Sequence, residues 1–224
     1  MQLHLQTMLS SASSLEERHA LKNCCRPGST RRGLSTASYS RSRGLAISAT
    51  FAAFISVSAL VSIPITPITP VPITLQVLAI YLTTTILGPI YGALACLIYL
   101  VIGAMGLPVY AGATSGVSVL LGPTGGYLFS YPIAAFLGGL VSRRRSKSRK
   151  GDMVRVSIAS AVALIVIYAM GVVWLGAYLR IDLSKALLLG AIPFIPVDVA
   201  KAFVAVPISL RVRWTRVSLP VNSS

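Results

Sequence analysis

From Leu45 to its end the chain is a succession of apolar blocks, at about 45–63, 72–87, 89–106, 123–142, 154–179 and 186–210, separated by Gly/Pro-rich or basic stretches. A helix needs roughly 20 residues, with a range near 17 to 25, to cross the hydrocarbon core, and all six blocks approach or meet that length. The second and third are short and divided only by Gly88-Pro89. The blocks lack the strict alternation of barrel strands, and lipid offers no partner to an unpaired backbone group, so they predict helices. The pattern therefore predicts an all-α membrane protein of six transmembrane helices in residues 45–224, with no internal repeat. Residues 1–44 have no such periodicity and include RPGSTRRGLSTASYSRSRG. They bury too little to offset the entropy of ordering, and predict a disordered basic tail. A Ser- and Arg-rich, acid-poor leader is similar in composition to an organelle transit peptide, and a start-site extension has the same look.

Composition supports the membrane reading, with 54% hydrophobic and 11% charged residues against about a quarter charged in soluble domains. Charge adds direction. Of 20 Lys and Arg, all but Arg180, Lys185 and Lys201 flank the apolar blocks, in the leader, in the run from Arg143 to Arg155, and after Leu210. That is a topology signal rather than a nucleic-acid-binding face, and it predicts both termini on the cytoplasmic side of a plasma-membrane protein. The long outer connections 64–71 and 107–122 then carry no charge. Trp174, Tyr178 and Trp214 are expected near the interfaces.

Several chemistries are excluded. Both histidines, His4 and His19, lie in the leader, so the body holds no imidazole for a triad, an HExxH zinc site or a proton relay. No Gly-rich loop ends in Gly-Lys-Ser or Gly-Lys-Thr, so ATP energy must come from another subunit. Cys24, Cys25 and Cys96 have neither disulfide nor zinc spacing. No cofactor, metal or catalytic residue is expected.

The informative residues are Asp198 and Lys201 in FIPVDVAKAFV. An ionisable group costs roughly 2.5–3.5 kcal/mol at a helix centre on insertion scales, and so marks an interior site. Three residues apart, the two share a helix face. Asp198 precedes Arg211 by 13 residues, about 20 Å of rise, which places the pair in the outer half. Pro193 and Pro196 interrupt the ladder ahead of it, so Pro196 is expected to open a helix with Asp198 in its first turn. With only one buried carboxylate expected, paired-aspartate proteolysis is excluded, and Asp198 opposes a Ser-Lys dyad by holding Lys201 charged. The segment GLPVYAGATSGVSVLLGPTGGYLFSYP, including Gly112 and Gly116, allows close backbone approach to a ligand. The outer PITPITPVPIT favours an extended, polyproline-like course. Ala49 and Ala53 form a small-xxx-small face suited to close helix contact.

With PITPVPITLQVLAIYL, GLPVYAG, GPTGGYL and the PxDxxKA pattern of Pro196, Asp198, Lys201 and Ala202 in order, residues 45 to about 214 resemble the BioY family, the biotin-binding S-components of energy-coupling-factor (ECF) transporters. The resemblance implies a six-helix membrane domain that binds biotin near the outer face and associates with a T-component and two cytoplasmic ABC-type ATPases. It implies biotin contacts at Asp198 and Lys201, a wall including Gln76, Tyr110 and Tyr127 beside the Gly112 to Gly116 segment, and a T-component contact at Ala49 and Ala53. The leader, Ala113-Thr114-Ser115-Gly116, Ser130-Tyr131 and Val197 depart from the family pattern. The other readings are an S-component for another vitamin and a non-transport assembly protein in which the Asp-Lys pair is structural.

Overall fold

In the computed structural model the described residues are 32–64, 69–144, 146 and 148–215, with side chains described from residue 42. The chain divides at Ser42, and the architecture below is that of the unit beginning at Arg43, together with the start of the helix that leads into it. It comprises α1 (Arg32–Leu60), β1 (Ser62–Ile63), β2 (Ile73–Thr74), α2 (Gln76–Ala104), a 3₁₀ turn (Ala111–Ala113), α3 (Val117–Leu120), α4 (Gly125–Ser142), α5 (Arg149–Leu179), α6 (Leu183–Gly190) and α7 (Ile195–Trp214). Four of these helices are long and apolar enough to cross a membrane, and α6 with α7, bent by 50°, makes a fifth candidate.

The α2 run is a hairpin. Gly88 adopts φ 74°, ψ −168°, and Pro89 lacks the donor to continue the ladder. Gln76 Nε2 donates to Tyr99 Oη at 2.9 Å, whereas 23 residues of straight helix would separate them by about 35 Å. The chain therefore doubles back at Gly88, as the two short blocks divided by Gly88-Pro89 predict. α4 packs across the tip, where Gly139 lies against Gly88 and Pro89 so closely that a Cβ would collide with their backbone.

α1 begins at Arg32, so residues 32–44, expected to be disordered, continue the helix. No proline follows Pro27 in this stretch, and extending an established helix adds one hydrogen bond per residue fixed. Residues 1–31 lie outside the described residues. The sixth block is also not one continuous helix. Pro193 and Pro196 interrupt it, leaving α6, a turn at 191–194, and α7 with Pro196 in its first turn and Asp198 close behind. The Pro-rich connection, expected to be outside and extended, is flanked by a two-residue antiparallel ladder pairing Ser62 with Thr74; residues 65–68 lie outside the described residues.

At the opposite end of α7 from Asp198 is a second buried carboxylate, where the sequence predicted only one. Asp152, fully buried near the start of α5, accepts from Arg213 Nε (3.2 Å) and Nη2 (3.0 Å) and from Trp214 Nε1 (3.2 Å). Arg213 Nη1 also donates to Thr85 O of α2 at 2.8 Å. This forked pair ties three helices together, so Arg213 is more than a topology signal. Asp152 and Asp198 stand at opposite ends of the bundle and are not a catalytic pair.

Candidate functional site

Beneath the β1–β2 ladder, a cavity lies between the loops and the starts of α2, α4 and α7. Asp198 and Lys201 supply the charge of its wall. Lys201 Nζ donates to Asp198 Oδ1 at 2.7 Å and to Thr74 O at 2.6 Å, and Tyr168 Oη of α5 donates to Asp198 Oδ2 at 2.6 Å. Asp198 is 5% and Lys201 8% exposed, so a charge left unpaired here would be strongly destabilising. The i,i+3 spacing on α7 makes the pair, and the β ladder brings the Thr74 carbonyl within reach.

The unused hydrogen-bonding capacity defines what the site can take. An ammonium has three N–H donors, and two of those of Lys201 are engaged. Each carboxylate oxygen of Asp198 receives one protein donor and can accept another. The pair thus offers one charge-assisted donor beside two charge-assisted acceptor positions, with no net charge. Such a surface fits a neutral group carrying both N–H donors and a carbonyl.

Gln76, Tyr110 and Tyr127, expected as wall residues, all line this cavity. Their hydroxyl and amide groups are held by the protein. Gln76 donates to Tyr99, Tyr110 Oη to Leu100 O at 2.7 Å, and Tyr127 Oη to Gly190 O at 2.8 Å. Burial raises the phenol pKa of Tyr110, which lies in the connection after α2, above its usual value, so it stays a neutral donor. The two rings are seated by glycines, since a Cβ at Gly103 would strike Tyr110 and one at Gly171 would strike Tyr127. Tyr99 packs edge-to-face on Tyr110, with centroids 5.5 Å apart at 77°.

Gly112 and Gly116, also expected as contacts, are not among the lining residues; their neighbours Ala111 and Thr114 are. The glycines act on the backbone, holding φ +69° and +94°, and the Tyr110 N–H to Thr114 O bond at 3.0 Å closes the loop. Tyr168 and Thr74 were not legible as site residues. Tyr168 is one phenol in the long apolar run of α5, and Thr74 contributes only a carbonyl, which every residue has. Ala49 and Ala53 are far in sequence from the pocket residues and exposed on α1, whereas Ser48, Ala52 and Ile55 are buried.

Comparison with known proteins gives the family and the fold. The BioY family profile matches residues 30–217, which begins ahead of the expected domain boundary at 45. "Biotin transporter BioY" of Thermotoga maritima is 43% identical over 164 residues, covering 73% of this chain and 91% of that protein. "Probable biotin transporter BioY" of Pyrococcus horikoshii is 40% identical over 173 residues, 77% of this chain and 98% of that protein. Among solved structures, the S-component for biotin from an ECF-type ABC transporter matches with TM-score 0.68 at 32% identity, covering 77% of this chain and 92% of that one.

Proposed function

The chain belongs to the BioY family of multi-pass membrane transport proteins, and from this we propose that it binds biotin in the Asp198–Lys201 cavity as the substrate-specificity subunit of an ECF-type transporter. The observation that carries the reading is the hydrogen-bonding capacity left at the pair. A ureido ring has two N–H donors and one carbonyl acceptor, the complement of two free carboxylate positions and one free ammonium N–H. The pair is neutral overall, which favours the uncharged ring over the ligand's carboxylate at this spot. Tyr110, Tyr127 and the apolar wall then face the sulfur ring and chain, while Gly112 and Gly116 shape the loop above.

Six spans with both termini in the cytoplasm of a plasma-membrane protein complete the reading. Support comes from the α2 hairpin, which makes two crossings of one apolar run, and from the bent α6–α7 pair, which makes the last. The basic clusters fall on one side in this arrangement. For energy the subunit joins a T-component and two cytoplasmic ATPases, with Ala49 and Ala53 as the exposed small face on α1 that the T-component meets.

The test is equilibrium binding of labelled biotin to the purified, detergent-solubilised protein, with riboflavin and thiamin as competitors. One biotin bound per chain, displaced by unlabelled biotin and not by the other vitamins, is expected. A folded protein that binds another vitamin and ignores biotin makes it an S-component of different specificity, and one that binds none leaves the Asp198–Lys201 pair structural.

A further inference from the structure

The far end of the α5–α7 seam presents a second feature, unconnected with the biotin cavity. Arg149, at the start of α5, and Arg211, in the last turn of α7, flank a pocket floored by Trp214, with the Arg149 guanidinium 5.3 Å from the centre of the indole. Asp152, the nearest carboxylate in sequence, is occupied by Arg213 and Trp214. Among the described residues neither Arg149 nor Arg211 forms an ion pair, and both are exposed.

Pro207 belongs both to this pocket and to an apolar groove that continues from it between the two helices. On α5 the groove follows Arg149 through Met153, Ser157 and Ala161, in steps of four; on α7 it follows Arg211 through Pro207, Phe203 and Val199, again in steps of four. Steps of four keep to one helix face. Each stripe therefore starts at an arginine and runs about 18 Å along its helix. Half of a hydrocarbon core is about 15 Å. Phe203 is 76% and Met153 47% exposed along this track, so no part of the described chain covers it.

We propose that this seam is a binding site for an anionic phospholipid, whose phosphate sits between Arg149 and Arg211 over Trp214 and whose acyl chain lies in the groove toward Phe203 and Val199. The two parts together select an amphiphile. Cationic side chains at the membrane surface attract anionic headgroups, and the apolar track has the length of one leaflet's chain. A free phosphate uses only the first part, and a zwitterionic lipid gains little from the two arginines. The inference rests on the membrane placement of α5 and α7 but not on biotin.

Native mass spectrometry of the detergent-purified chain, offered equimolar dioleoyl phosphatidylglycerol and dioleoyl phosphatidylcholine without biotin, tests the site. Each arginine is worth about fivefold, from about 1 kcal/mol per basic residue at a membrane surface. One phosphatidylglycerol should therefore be retained over phosphatidylcholine by tenfold or more. The Arg149→Gln/Arg211→Gln variant should bring the ratio near one, Arg149→Lys/Arg211→Lys should restore most of it, and Arg180→Gln/Lys185→Gln, with the same change in net charge elsewhere, should leave it unchanged. Equal loss in the Arg180/Lys185 control, no preference in the wild type, or displacement of the lipid by glycerol 3-phosphate at matching concentration each overturns the proposal. A folded, biotin-binding chain without the preference would refute the lipid site alone.

Discussion

At the residue scale the site is a connected set of hydrogen bonds with unused donor and acceptor positions. Asp198 holds Lys201 and Tyr168, and Lys201 holds Asp198 and Thr74. Asp198→Asn and Lys201→Met each remove a charge-assisted ligand contact and leave the other charge buried without its mate, so each should weaken biotin binding by at least about tenfold, given about 1.5–3 kcal/mol per hydrogen bond to a charged group. The double change should cost less than the sum, because the two residues act as a unit. Wild-type affinity in both correctly inserted single variants, measured by radioligand titration, would falsify the ligand role. Tyr168→Phe should cost less, about fivefold, since it frees a lone pair of Asp198 without changing charge. A Tyr168→Phe effect as large as that of Asp198→Asn, in the same titration, would move Tyr168 from a positioning residue to a ligand.

At the element scale the fold depends on positions where a side chain has no room or a backbone has an unusual turn. Gly103 and Gly171 admit the rings of Tyr110 and Tyr127, so Gly171→Ala should cost about 1–3 kcal/mol by overpacking and lower biotin affinity with it. Gly106→Ala, where φ is +104° but nothing lies within 4 Å of a Cβ, should cost only the backbone strain of about 1–2 kcal/mol and leave affinity intact. Thermal unfolding in detergent beside binding separates the two; equal loss of affinity in both would remove the ring-seating argument. Asp152→Asn should be more severe than either, about 3–5 kcal/mol, because it leaves Arg213 buried without its partner. An unchanged unfolding midpoint would show that the pair does not hold α5 to α7.

At the scale of the whole molecule, topology and coupling each have a direct readout. With Cys24 and Cys25 changed to Ser, a cysteine at exposed Lys150 should be shielded from an impermeant thiol reagent in intact cells, and one at exposed Ser118 should react; the reverse labelling inverts the topology. Thr69, on the same proposed outer side of the topology, is only 3% exposed and makes a poor reporter. Replacing Ala49 and Ala53 by Leu should leave biotin binding nearly unchanged while reducing T-component association and ATP-dependent uptake, because the face they widen is exposed on α1. Joint loss of binding and association would place that face inside the subunit, and undiminished uptake without any ATPase would remove the coupling premise.

What the sequence determined by itself was what local pattern and chemical scarcity can carry. The apolar blocks, the Gly88-Pro89 turn, the opening of α7 at Pro196 and the Asp198–Lys201 pair all follow from spacing within a few turns of helix, or from the cost of a charge in lipid. What only the tertiary structure decided involves partners remote in the chain. Tyr168 meets Asp198 across 30 positions, the Thr74 carbonyl meets Lys201 across 127, and Arg213 meets Asp152 across 61. An arginine after an apolar block has the same appearance whether it faces the cytoplasm or a buried carboxylate, and a backbone carbonyl leaves no mark on composition. Glycine has the same ambiguity. Gly112 reads as a contact, whereas in the fold it holds a positive φ between Ala111 and Thr114, which line the cavity, and only the folded loop reveals that arrangement.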